Sequence, residues 1–191
     1  MRILLLAFAL MFSACAVGNP SKPIAPTAPA STQSFEDLDW FSVLAHQGAL
    51  PLGYAGGQLR FSAPNRFSSL PRAVATANLQ LWMDGGDAGW VLVMQYVDEA
   101  KRAVAYDEMQ KTMGRLTPPE TAQYDAAPLP EVGERASELW LVFDLDYRSL
   151  TEILFERCGL LVHVRMRDQS DRRAVEEYAG LLDSRLERLF C

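Results

Sequence analysis

The residues in this 191-residue chain whose types suit acid–base, nucleophilic or metal chemistry are two histidines, three cysteines and 24 carboxylates. His46 and His163 lie far apart in sequence, and no His or Cys pair has the short spacing of a zinc site. No G-x-S-x-G nucleophile elbow is present, and neither Cys158 nor Cys191 has a histidine close by in sequence. Gly56-Gly57 and Gly85-Gly86 lack the rest of a phosphate-loop fingerprint and read as turn glycines. Asp144 and Asp146 read as strand-end and loop residues, not as a paired acid and base. The sequence therefore predicts no enzyme activity, no cofactor and no metal site.

The third cysteine belongs to a different context. Arg2 precedes the apolar run Ile3 to Phe12, which ends in Ser13, Ala14 and Cys15. A positive n-region, a short apolar h-region and a small-residue cleavage site make a secretory signal, and the run is shorter than the roughly 20 residues a permanent membrane helix needs. Phe12-Ser13-Ala14-Cys15 resembles the lipobox of bacterial lipoproteins, with Phe12 in place of the usual Leu. The resemblance covers about the first fifteen residues. It implies a signal peptide over 1–14, cleavage before Cys15, lipidation (palmitate) of Cys15, and attachment to a membrane of the bacterial cell envelope. Ala16, in place of Asp, implies no demand for inner-membrane retention. The competing reading is ordinary cleavage after Ala16, since Ala14-Cys15-Ala16 is itself an A-x-A site, which would release the protein.

The residues that follow form a spacer. Residues 15–34 hold Pro20, Pro23, Pro26 and Pro29 among Ala, Ser and Thr, with Lys22 the only charge. Such a composition predicts a polyproline II or disordered tether, able to reach some 50 Å at roughly 3.1 Å per residue. Residues 35–191 are long enough for one domain with its own core. All 24 acidic residues fall there; without Arg2 and Lys22, 16 of the 18 basic residues remain, giving a formal charge of −8. That balance argues against nucleic acid and against anionic lipid headgroups as partners.

At the C-terminal end, Thr151 to Cys158 and Leu160 to Arg167 suit two strands around Gly159. A two-residue Cys158-Gly159 turn would set Phe155 opposite Val162, Ile153 opposite Val164, Glu152 opposite Arg165 and Leu154 opposite His163, giving one apolar and one mixed face. Ala174, Val175, Tyr178, Leu181, Leu182, Leu186 and Leu189 then recur at helical spacing, with Ser170 as the expected cap. The strand advances about 26 Å and the helix returns about 28 Å, which brings Cys191 back to the level of the turn. With Cys15 lipidated in an oxidising compartment, a Cys158–Cys191 disulfide is expected, provided the Cα atoms come within about 7 Å.

The first half repeats this plan. Leu79 to Met83 and Trp90 to Val97 read as strands around Asp84-Gly85-Gly86-Asp87, and Asp98 opens a helix with Ala103, Tyr106, Met109 and Met113 on one stripe. Gly89 and Asp98 match Gly159 and Asp168 at a constant offset, so the unit is either duplicated or a chance recurrence. Leu139 to Leu145, with Trp140, is a further strand, Phe35 to Ala45 a short helix, and the stretch from Thr117 to Pro130 a long loop. The expected class is α+β: an antiparallel sheet with two main helices packed on one face.

Val132 to Ala136, Ile153 to Val164 and Leu181 to Leu186 together are similar to a pattern in uncharacterised extracytoplasmic bacterial proteins. The likeness covers about the last third of the chain, and Cys158 stands where a basic or small polar residue is the rule. It implies an α+β surface or periplasmic domain and transfers no catalytic residue. Two functional readings follow. The first is a tethered accessory or binding module that meets an envelope protein or a small apolar ligand on the sheet face the helices leave open, with Trp82, Trp90 and Trp140 as candidate contacts or else as core. The second is an envelope hydrolase, which requires a pocket gathering carboxylates with His46 or His163. His163 beside Arg165 and Arg167 reads as a partly exposed strand histidine or as part of an anion-binding patch.

Overall fold

The computed structural model describes residues 34–46, 48–63, 67–113, 122–129, 131–143, 149–167 and 171–191, with side chains described throughout except at 122–128 and 139–143. The signal, Cys15, the spacer, Asp144, Asp146 and Ser170 lie outside the described residues, as does the side chain of Trp140.

A short 3-10 turn at Phe35–Asp37 leads to helix α1 (Trp40–Leu44). Strands β1 (Tyr54–Arg60), β2 (Ala75–Met83) and β3 (Gly86–Gln95) precede helix α2 (Glu99–Thr112). Strands β4 (Ala122–Pro128), β5 (Arg135–Phe143), β6 (Ser149–Arg157) and β7 (Leu160–Arg167) precede helix α3 (Arg172–Phe190). The strands form one antiparallel sheet in the order β1-β2-β3-β7-β6-β5-β4. The class is α+β.

The hairpin β6–β7 has the register that its alternation dictates: Glu152 pairs with Arg165, Ile153 with Val164, Leu154 with His163 and Phe155 with Val162. Its turn places Cys158 at φ 50° and Gly159 at φ 81°, the left-handed pair of a two-residue turn that follows the strand twist. Ile153, Phe155, Val162 and Val164 meet Val175, Tyr178, Ala179, Leu182 and Leu186 of α3 in the larger core, which α1 closes through Trp40 and Leu44. Asp171, one residue beyond the expected Ser170, caps α3 by accepting from the Arg173 amide.

The helices do not share a face. Ala105, Tyr106 and Met109 of α2 pack on Leu92, Met94, Leu154 and Leu161, residues of opposite parity to those beneath α3. The expectation of two helices on one side is thus corrected: each face carries one of the helices, and β3 announces this in Trp90-Val91-Leu92-Val93-Met94, an unbroken apolar run. The opposite placement also bears on duplication. The hairpin–helix unit β2-β3-α2 turns onto one face and β6-β7-α3 onto the other, so a rotation that superposes the two hairpins leaves the helices on opposite sides. The units have opposite hands.

Two strands lie where the sequence shows none. β1 carries Gly56 and Gly57, and β4, inside the expected long loop, is Ala122-Gln123-Tyr124-Asp125-Ala126-Ala127-Pro128. Both are sheet edges, where propensity is weak and Gly and Pro are tolerated.

Candidate functional site

The register aligns two rows of side chains across the mixed face. Gln80, Trp90, Arg165 and Glu152 stand side by side on β2, β3, β7 and β6, and Arg60, Asn78, Leu92, His163 and Leu154 form the adjacent row. The β7–β6 half of this face lies under α2, whose Tyr106 hydroxyl meets Ser137 Oγ at 2.7 Å and whose Arg102 donates to Glu156 at 3.0 Å. Phe67, from the segment joining β1 to β2, stands edge-on to the His163 ring at 5.7 Å.

Under this cover lies a buried charge network. Glu152 is 0% exposed, His163 1% and Arg165 2%. The Trp90 indole Nε1–H donates to His163 Nδ1 at 3.1 Å, which fixes the tautomer, so His163 Nε2–H faces Glu152 Oε2 at 3.3 Å. Arg165 donates to the other Glu152 oxygen, and its guanidinium carbon sits 4.9 Å from the Trp90 ring centroid. Burial pulls the Arg165 guanidinium below the ordinary arginine range, and the Glu152 charge works against that shift.

The network corrects the reading of His163 as partly exposed and as part of an anion patch. Its lone pair is taken by an indole, its N–H is aimed at a carboxylate, and the Arg165 charge is spent on Glu152. An imidazole so engaged has no nitrogen to offer as a base. His46 lies exposed after α1, on the far side of the sheet, so the structure does not bring the two histidines together. No group of three or more His, Cys, Asp or Glu that could hold a metal occurs among the described residues.

Backbone geometry supports the network. Gly89, at φ 146°, lets β3 approach β7 so closely that a Cβ there would overlap the Arg165 carbonyl oxygen. Any side chain at position 89 would push β3 from β7 where Trp90 meets Arg165.

The β1–β3 half of the same face is left open by α2. A cleft of about 300 Å³ lies there, lined by Gln58, Arg60, Ser62, Ala63, Asn78, Gln80, Asp87, Gly89 and Trp90. Arg60 donates through Nε and one terminal nitrogen to Gln58 Oε1 at 3.2 and 2.8 Å, and Asp87 Oδ1 accepts from the Gly89 amide at 3.3 Å. Asn78 Oδ1 is shut off from solvent and meets no donor among the described residues. Trp82 is 37% exposed, its indole lying over Gly57, where a Cβ would overlap Nε1. Trp82 and Trp90 therefore edge the open part of the sheet, as one of the two alternatives for the tryptophans requires. The lining is polar; the partners expected from sequence are an envelope protein or a small apolar ligand. Sequence reading missed Gln58, Arg60, Asn78, Gln80 and Asp87; the signal was present in β2, where Asn78 and Gln80 alternate with Ala77, Leu79 and Leu81.

A second pair of contacts ties the opposite face. Asp183 of α3 is buried, accepting from Arg157 at 2.6 and 2.5 Å and from the Gly133 amide at 3.0 Å. Cys158 and Cys191 stand at disulfide distance, with Cα atoms 5.6 Å apart. No described helix is long and apolar enough to cross a membrane. Compared with protein-family models, with curated proteins and with solved structures, the chain finds no match in any of the three.

Proposed function

We propose that the protein is an exported, membrane-tethered lipoprotein that acts as a binding or accessory module of the bacterial cell envelope, recognising its partner through the open β1–β3 part of the mixed face. The observation that carries this is the cleft itself: a concave polar surface walled by an indole that a buried network holds in one orientation. Buried ion pairs give little net stability over apolar residues of like size, so the Glu152–Arg165 pair is better accounted for as a device that fixes Trp90. Recognition surfaces favour such rigid aromatic anchors beside a few oriented polar groups. The lipobox-like Phe12-Ser13-Ala14-Cys15 and the proline spacer support export and tethering.

The binding reading is tested by two-dimensional amide spectra of the protein titrated with glycan, peptide and lipid fractions of a bacterial envelope. Shifts confined to 58–62, 78–82 and 87–90 are expected with one fraction. Absence of such shifts with all three overturns it.

A further inference from the structure

The composition of the cleft selects among ligand classes. Resting on the reading of this cleft as the recognition site, we infer that it binds a neutral, hydroxyl-rich glycan segment. The lining carries one cation, Arg60, and one carboxylate, Asp87, so it offers no net charge to an ionic ligand. The chain as a whole is acidic, at −6, which further disfavours polyanions.

The polar groups are chiefly planar. Gln80 carries a planar side-chain amide, Gln58 one whose oxygen accepts from Arg60, Asn78 one whose oxygen is shut off from solvent, and Asp87 a carboxylate. Neighbouring hydroxyls on a sugar ring are each both donor and acceptor, and a planar amide or carboxylate meets two of them at once.

The apolar wall fits the same class. The C–H face of a pyranose is flat and rests against an aromatic ring, and Trp90 offers one whose orientation is set at Nε1 by His163 and on the ring by Arg165. Asn78, Gln80 and Trp82 follow one another on this face of β2 over roughly 13 Å at 3.3 Å per residue, so the half-exposed Trp82 extends the row past the cleft. At about 300 Å³ the cleft is at the small end of ligand pockets. It holds part of a chain whose remainder runs along the open face.

A neighbouring hollow is less suited. A recess of about 370 Å³ lined by Phe35, Glu36, Phe61, Val74, Ala75 and Thr76 has an apolar wall but few groups to orient a ligand.

The test uses the full-length exported protein carrying Cys15→Ser, followed by amide, side-chain NH₂ and indole resonances. Chitotetraose and cellotetraose are the neutral probes, with tetragalacturonate and an alanine-rich pentapeptide as separate arms. A neutral tetrasaccharide should shift Gln58, Asn78, Gln80, Trp82 and Trp90, Gln80→Ala should weaken it at least fivefold with unchanged melting temperature, and Asp87→Ala at least fivefold with the protein still folded. Shifts in the cleft caused by the peptide or the polyanion alone overturn the glycan inference and leave the binding module standing. No response to either neutral probe also overturns it, while the module is judged separately by the envelope fractions. Equal affinity of wild type and both variants overturns the assignment to this cleft.

Discussion

Replacing Arg165 by methionine keeps the length of the side chain and deletes its charge. In the folded protein this leaves Glu152, which is 0% exposed, with His163 as its remaining partner in the network, and removes the cation from the Trp90 ring. Breaking a buried pair by deleting one partner costs about 3–5 kcal/mol, because the other charge stays buried without compensation. Glu152→Gln should be similarly costly, since it strands the Arg165 guanidinium, itself 2% exposed. The double variant Glu152→Gln/Arg165→Met removes both charges, while the carbonyl of the new amide at position 152 can still accept from His163 Nε2. It should recover most of the loss, leaving roughly 1–2 kcal/mol for an amide with incomplete hydrogen bonding. The assay is urea unfolding at pH 7 of wild type, both single variants and the double, with the coupling read from the cycle. With an m-value of about 2 kcal/mol per molar, each single variant moves the midpoint down by roughly 2 M. Single variants that cost under about 1 kcal/mol, or a double variant as unstable as the sum of the singles, would refute the account of the network as a compensated buried pair.

Other outcomes follow from the same structure. Cys191→Ser should lower stability by about 4 kcal/mol in the chain-entropy model for a 33-residue separation, a fall of roughly 7–15 °C in Tm, and non-reduced peptide mapping of the exported wild type should show Cys158 linked to Cys191; two free thiols would contradict it. Burial raises the Glu138 carboxyl above the ordinary glutamate range against the opposing pull of Arg172. A raised folded pKa favours folding below the unfolded value and loses that contribution as pH rises through the folded one, so wild type should lose stability across this interval and Glu138→Gln should lack the step, as denaturant titrations at several pH values would show. Labelled palmitate should enter the wild type and not Cys15→Ser; equal labelling removes the anchor. Deleting 16–33 should leave the melting temperature unchanged, and a large drop would mean that the spacer packs on the domain.

The central hairpin was legible because three signals agree there: Gly159 at the turn, alternation on both strands, and a helical period after them. The Cys158–Cys191 proximity followed from the matched lengths of strand and helix. β1 and β4 were not legible, since edge strands are held by one neighbour's ladder and need little side-chain pattern of their own. The placement of α2 was missed for another reason. Glu152, His163 and Arg165 look like a solvent face when read one by one, and only their pairing across strands makes burial tolerable. The cleft shared this fate: Gln58 and Arg60 come from an edge strand, and Asn78 and Gln80 gain meaning once Trp90 stands beside them.

The contact between the first described residues and the end of α3 has a mechanical consequence. Phe35 packs against Trp40 at 4.3 Å and Phe190 at 6.3 Å between ring centroids, and Phe190 precedes Cys191, which stands beside Cys158 in the central hairpin turn. With a lipid anchor at Cys15, drag on the domain enters at Ser34 and passes through this aromatic clasp into the end of α3. With the two sulfurs bonded, the load continues into the middle of the sheet. The clasp thus shares the load with the covalent path through α1 into the edge strand β1, so that less of it falls on hydrogen bonds that a pull would peel one at a time.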